Sequence, residues 1–207
     1  VRFLGNRSSG RQGFAIVERA LARGAEVTAV VGTVEVPVPA GARVIPAPTA
    51  AGMREALLAQ QPSADAIVMA AAVADFRPES ASTTKIKKSD DHEPEPIRLL
   101  RNPDILVELV SRKAEDQVVV GFAAETASSD EELLSLARAK AARKGCDLLV
   151  VNDVGGGRVF GREDTTVRVL AAGGQVLAEV SGGKSGAADA VLDEVAKLLP
   201  PLTRSHA

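Results

Sequence analysis

The chain has 207 residues, enough for one good-sized domain with a proper core. Apolar residues make up 45% and aromatics 2%, with no Trp and no Tyr, so Val, Leu, Ile and Ala must build the core. That composition suits a parallel sheet covered by helices, and a net charge of −2 excludes a globally basic nucleic-acid binder.

In chain order, residues 9–23 read as a helix whose buried side is Phe14, Ile16, Val17 and Leu21. Gly24 stands where a left-handed residue would stop it. A short apolar strand follows over 26–31, then a Pro/Gly loop over 33–43, then an edge-like strand over 43–46. Thr49 caps a helix that runs through Gln60. Residues 65–73, wholly apolar from Ile67 to Val73, are expected to form one buried strand. After it comes a polar loop, 74–96, longer than ordinary connections and therefore a candidate for function. Residues 97–100 are a possible strand. Asn102-Pro103 reads as a helix start, with Asn as cap and Pro in the first position, and the helix extends to about Lys113.

Residues 117–122 are a second buried strand. Ser128 or Ser129 caps a helix through Lys144, which Gly145 ends. Residues 147–151 are a third buried strand, and 152–164 a Gly-rich loop. Two segments, 165–171 and 175–180, flank Gly173-Gly174 as a hairpin. A last helix covers about 185–199, and 200–207 form a tail. Strands alternating with helices predict an α/β fold: a Rossmann-like, doubly wound, mostly parallel sheet with helices on both faces and a C-terminal antiparallel hairpin. We expect one domain, residues 1–199.

The chemistry gathers near three places. Gly5, Gly10 and Gly13 precede and open the first helix and can aim backbone N–H groups at an anion. The spacing matches neither a dinucleotide fingerprint nor a Walker loop, and a plain Gly/Ser turn is the alternative. Gly183-Lys184-Ser185 ends like a Walker loop but lacks its first glycine, so it reads as a helix cap. On the helix ending at Lys144, residues turn by about 100° each, which lines up Leu133, Ala137, Lys140 and Lys144. The two lysines either complement the helix dipole or reach a phosphate at the sheet edge. Phe76 and Phe122 each follow a buried strand and are either core or a wall for a base. Asp75 and Glu125 are carboxylates at the same strand ends. Lys85-Ile86-Lys87-Lys88 is either a solvated patch or a mobile basic loop over a polyphosphate.

Cys146 is the lone cysteine, which excludes an intramolecular disulfide framework and fits a reducing cytoplasm. His92 and His206 lack Cys partners, which argues against zinc. No apolar run reaches membrane-spanning length, and we expect no signal peptide. We therefore expect a cytoplasmic protein without nucleic-acid or membrane partners. Because it opens at Val1, we expect a part of something longer.

Several segments in order resemble bacterial phosphopantothenoylcysteine synthetase, the synthetase half of a bifunctional coenzyme A biosynthesis enzyme. They are Arg2 through Phe14, Ala70 through Phe76, Lys85 through Lys88, Arg101 through Asp104, Val120 through Thr126, and Asp147 through Asp153. The resemblance covers roughly residues 1–199. It implies that the carboxylate of 4′-phosphopantothenate attacks the α-phosphate of CTP, and that L-cysteine then displaces CMP from the acyl-cytidylate. It implies that Lys85 stabilises charge in the first step. Asn6 would hold the intermediate for cysteine, with Arg2 nearby, and Ala72 would touch the pantothenate part. Met69, Ala70, Ala71, Asp75, Pro103, Asp104, Ile105, Leu106, Phe122, Lys140 and Lys144 would line the CTP site, and Ser8, Ser9 and Gly10 would cradle phosphates. Magnesium would travel with the triphosphate, with its protein ligands unassigned. The family works as a homodimer, and the full-length protein would carry a fused decarboxylase domain. It also has a strand and a Gly-Gly-Thr turn ahead of the position of Val1, which this sequence lacks.

Two rival readings remain at this level. A nicotinamide-dependent oxidoreductase shares the architecture, but the chain has no Tyr for its usual catalytic pair and no acidic residue ends the strand at 26–31. A nucleotide-binding regulatory module without turnover is the other, since fold does not imply function.

Overall fold

Gly10 sits in the left-handed region at φ 80° and hands the chain to helix α1, Arg11–Ala22. The helices that follow are α2 (Ala50–Gln60), α3 (Ile105–Arg112), α4 (Asp130–Lys144) and α5 (Lys184–Leu198). The strands are β1 (Thr28–Val31), β2 (Arg43–Pro46), β3 (Ala66–Met69), β4 (Phe76–Pro78), β5 (Leu99–Arg101), β6 (Val118–Glu125), β7 (Leu148–Asp153), β8 (Asp164–Ala171) and β9 (Val176–Gly183). These come from a computed structural model that describes residues 5–6, 8–80, 96–153 and 164–201.

The central sheet has the order β3-β6-β7-β8-β9. β3, β6 and β7 are parallel, and β8 and β9 close the sheet as an antiparallel hairpin. Val118, Val119 and Val120 of β6 and Leu148 to Val151 of β7 are buried, as continuous apolar runs covered on both faces should be. One face packs Ile67, Met69, Val119, Leu149 and Val151 against Met53, Leu109, Leu133 and Ala137 of α2, α3 and α4. The other packs Val118, Val120, Leu148 and Val150 against Ala187, Val191 and Val195 of α5, with α1 beside it through Ala15, Ile16 and Ala188. Each fully buried aliphatic side chain here contributes about 1.5–3 kcal/mol. The fold is thus the expected α/β sandwich of helices around a mostly parallel sheet. β1 and β2 form a separate parallel pair, and β4 and β5 a separate antiparallel ribbon.

Local capping follows sequence closely. Thr49 accepts from the Gly52 N–H at 3.1 Å, and Ser129 accepts from the Glu132 N–H at 3.2 Å. Gly145, at φ 66°, ends α4 with its N–H on the Ala141 carbonyl.

Four expectations need correction. β3 stops at Met69 instead of continuing to Val73, because Ala71 and Ala72 are exposed and have no strand partner. The loop expected over 74–96 contains β4, paired with β5, so its base is an ordered ribbon. The N-cap of α3 is Asp104, whose carboxylate accepts from the Val107 N–H, and not Asn102. In α1, Ala15 is buried beside Phe14 and Ile16, whereas Val17 and Leu21 are half-buried, because α5 packs along that side. The Gly-rich loop expected over 152–164 falls mostly outside the described residues.

Gly121 is the close-packing glycine of the sheet. A Cβ there would lie 2.6 Å from Leu106 Cδ2, 3.2 Å from Leu149 Cδ1 and 3.3 Å from Cys146 Sγ. All three neighbours are buried, so none can swing into solvent. Gly121→Ala should therefore push the first turn of α3 off β6 and cost about 1–3 kcal/mol of overpacking. A melting temperature equal to the parent's would show that the contact has slack.

Candidate functional site

The C-terminal edge of the parallel strands gathers most of the residues singled out by sequence. Open α/β sheets bind ligands there because loops and helix N-termini converge. α1 and α5 run side by side in the same direction, tied by Arg19 to Asp189 at 2.9 Å and by Arg23 to Asp189 and Asp193, each at 2.7 Å. Their N-termini are therefore neighbours. Neither first turn is capped by a side chain of its N-cap residue, Gly10 or Gly183. Arg11 and Lys184 stand close enough that burial first, and the Arg11 charge second, pull the Lys184 ammonium below its ordinary pKa. From sequence alone Lys184 looks like part of a simple helix cap. Its nearness to Arg11 needed the packing of two helices more than 160 residues apart in the chain, as the Arg23–Asp189 contact shows.

Ser8 and Ser9 lie in the loop that enters α1, and their hydroxyls accept from the Gly10 and Arg11 N–H groups at 3.4 Å. A Cβ on Gly10 would meet Val34 Cγ1 at 2.8 Å, which adds a steric reason for glycine to its positive φ. Gly13 lets α1 approach the strand exit, since its Cβ would lie 3.7 Å from the Ala70 Cβ. The Asn6 Nδ2 donates to the Val73 carbonyl at 3.1 Å. So the first loop and the segment after β3 are in contact, and Asn6 is placed beside Ala72.

Met69 is buried, Ala70 is half-buried, and Ala71, Ala72 and Asp75 are exposed. Pro103 and Asp104 are exposed at the start of α3. Ile105 and Leu106 are core residues, so what they can offer a ligand is backbone N–H. Phe122 is half-buried and packs toward Ala15, Ile16 and Ala188, so its ring fills core and its backbone is the part left for the edge. Phe76 is exposed on β4.

The lysines of α4 are both paired. Lys140 Nζ meets Glu125 Oε1 at the end of β6, and Lys144 Nζ meets Asp104 Oδ2 at the cap of α3. The buried stripe of α4 is Leu133, Ala137 and Ala141, and the lysines flank it at the sheet edge. Burial would raise the Asp104 carboxyl, but Lys144, the Val107 N–H and Arg143 outweigh it and hold the group below the usual carboxylate range. Asp104 is therefore ionised at neutral pH and fixes Lys144 against α3. Cys146 is fully buried, and burial pushes its thiol up, so it is no nucleophile.

Arg2 and Lys85 lie outside the described residues. Among the described residues a hollow of about 340 Å³ lies at the opposite edge, where Lys113, Gln117 and Asp147 meet Ala171 to Gly173. Its polar groups serve the fold: Asp147 accepts from Lys113 Nζ at 2.6 Å and from the Val119 N–H at 2.7 Å. The candidate site is the C-terminal edge.

The Coenzyme A biosynthesis bifunctional protein CoaBC of Mycobacterium tuberculosis is 45% identical over 205 residues, covering 96% of this chain and 49% of its own. The chain thus spans about half the length of the curated relatives it matches. Among solved structures, the C-terminal domain of a CoaBC bifunctional protein is similar at TM-score 0.76 and 30% identity, over 96% of this chain and 87% of that one. A Cab2 variant in complex with phosphopantothenate-cysteine shares the fold, at TM-score 0.73 and 17% identity over 96% of this chain and 81% of that one. The family model for the DNA/pantothenate metabolism flavoprotein C-terminal domain matches residues 1–199. On this match and these relatives, the chain belongs to the DNA/pantothenate metabolism flavoprotein C-terminal domain family.

Proposed function

We propose that this chain is a phosphopantothenate–cysteine ligase, the synthetase part of a coenzyme A biosynthesis protein. A carboxylate oxygen of 4′-phosphopantothenate attacks the α-phosphorus of CTP, and the bond to the bridging oxygen breaks to release pyrophosphate. The cysteine amine then attacks the acyl carbon, CMP leaves, and the amine proton passes to solvent. Both steps join anions or expel them, so cations and N–H groups supply most of the help. The observation that carries this reading is the Asn6–Val73 contact. It brings the entry of α1 and the exit of β3 to the edge where Lys140, Lys144 and α3 stand.

In this reading Ser8, Ser9 and Gly10 hold phosphates, and Lys140 and Lys144 exchange their carboxylates for the triphosphate. Lys85 acts in the first step, and Asn6 in the second with Arg2 beside it. Magnesium enters as part of the nucleotide substrate. Among the described residues no three His, Cys, Asp or Glu side chains gather to hold an ion. The likeness to the CoaBC relatives supports a cytoplasmic location in this reading; among the described residues no helix is long and apolar enough to cross a membrane. The bifunctional relatives support a decarboxylase domain in the full-length protein.

A homodimer belongs to the same proposal. The β4–β5 ribbon and its flank expose Phe76, Ile97, Leu99 and Leu100, with Ile97 76% exposed. Apolar side chains clustered on a two-stranded ribbon fit an interface between copies.

The test is pyrophosphate release from protein, CTP, magnesium and 4′-phosphopantothenate, with and without cysteine. We expect about one equivalent per site without cysteine and steady turnover with it. A folded dimer that binds CTP and releases none is a nucleotide-binding module instead.

A further inference from the structure

The segment that leaves β3 is held in an unusual way. Its three consecutive carbonyls, on Val73, Ala74 and Asp75, each accept a hydrogen bond from an asparagine. Val73 accepts from Asn6 Nδ2 at 3.1 Å. Ala74 accepts from Asn102 Nδ2 at 2.8 Å. Asp75 accepts from the Asn102 backbone N–H at 2.8 Å. Asn102 is half-buried, and its own Oδ1 accepts from Arg77 Nη1 at 3.0 Å, which also donates to the Arg101 carbonyl at 3.0 Å. One side chain thus ties the strand exit, the base of the β4–β5 ribbon and the approach to α3.

The donors of the same segment have no partner among the described residues. Among the described residues, no acceptor meets the N–H groups of Ala71, Ala72, Val73 or Ala74. Backbone donors without protein partners, in a segment whose carbonyls are fixed, are available to a ligand. The ordering entropy of that segment, about 1–2 kcal/mol per residue, is met in advance by the asparagine ties. A ligand carrying acceptor oxygens then binds donors already in place.

We propose that Asn102 is the positioning residue of the site: it clamps the Ala74–Asp75 backbone to the start of α3 and so presents the free N–H groups of Ala71–Ala74 to the acid substrate. The inference rests on the ligase reading for the identity of that substrate, 4′-phosphopantothenate, whose one amide and carboxylate supply acceptor oxygens. Asn102 itself touches no reacting atom.

Asn102→Asp is the informative variant. It keeps an oxygen for Arg77 but sets a carboxylate oxygen against the Ala74 carbonyl in place of the donor. We expect KM for 4′-phosphopantothenate to rise about tenfold, the value of one lost buried hydrogen bond, with KM for CTP changed less than threefold. Arg77→Ala, which leaves the Ala74 clamp intact, should raise the same KM less than Asn102→Asp does. A merely structural role would lower the active fraction, and so kcat, at unchanged KM. Amide hydrogen exchange is the second readout and needs no turnover. In Asn102→Asp, residues 71–78 should exchange faster while β7 and α4 exchange as in the parent. Unchanged KM, or unchanged exchange over 71–78, overturns the proposal. If the parent chain itself releases no pyrophosphate, the ligase reading falls, and the exchange comparison alone decides the role of Asn102.

Discussion

Replacing Lys140 and Lys144 together by alanine should lower kcat/KM for CTP by about a hundredfold or more, at little cost to stability. The expected size follows from two charge-assisted contacts of about 1.5–3 kcal/mol each. In the protein without nucleotide, each lysine neutralises a carboxylate, Glu125 and Asp104. Alanine therefore removes two cations and also uncovers two anions at the proposed triphosphate site. Stability should hardly move, since partly exposed ion pairs are worth about 0–1 kcal/mol. The two effects separate in a cycle: removing Glu125 along with Lys140 abolishes the uncovered charge and should restore part, not all, of the affinity. The readouts are KM for CTP, direct CTP binding and melting temperature. A double variant whose KM for CTP stays within threefold of the parent's would mean that these lysines serve α3 and β6 alone.

That prediction depends on partners that the sequence alone does not reveal. Lys140 and Lys144 are legible as part of a helix stripe because helical periodicity is local. Glu125 and Asp104 become their partners only when β6, α3 and α4 assemble, which is a property of packing. The same contrast runs through the fold. Thr49, Ser129 and Gly145 act within a turn of their own positions, so caps and helix ends are readable directly. The end of β3 is not. Residues 66–73 are uniformly apolar, yet the chain leaves the sheet after Met69, and Ala70 to Val73 run on at its C-terminal edge outside any strand. Small residues at a ligand floor look the same, one letter at a time, as small residues in a core. Of the β4–β5 ribbon only β5 is legible, as the possible strand over 97–100; β4 hides in the expected 74–96 loop because its three residues are all exposed and show no alternation of apolar and polar. Asn102 was legible as a helix-entry asparagine, but the cap passed to Asp104 once its side chain found the Ala74 carbonyl. Phe122 is the reverse case: a strand-end aromatic suggests a base-stacking wall, and the neighbouring helices α1 and α5 claim its ring for core.

Asn6→Asp should stop the reaction between its halves. Asn6 uses one N–H on the Val73 carbonyl at 3.1 Å, and among the described residues its second N–H and its amide oxygen meet no partner, so they are offered to a ligand. Aspartate removes both donors and brings a charged oxygen against that carbonyl and near the phosphate of the acyl-cytidylate. In the proposed mechanism activation draws on the lysines and helix N-termini instead, so one equivalent of pyrophosphate should still appear. Attack by cysteine should slow by roughly a hundredfold or more, the usual effect of losing one preorganised donor. The acyl-cytidylate then accumulates to about one per site. It can be followed by acid quench and mass measurement, or as cysteine-dependent release of labelled CMP. Asn6→Ala separates donor loss from repulsion: it lacks the charge and should slow the second step less. Lys85→Gln is the complementary variant and should abolish the pyrophosphate burst itself. If Asn6→Asp and Lys85→Gln both fail before pyrophosphate release, the division of labour between the two steps is wrong, and Asn6 serves substrate binding as a whole.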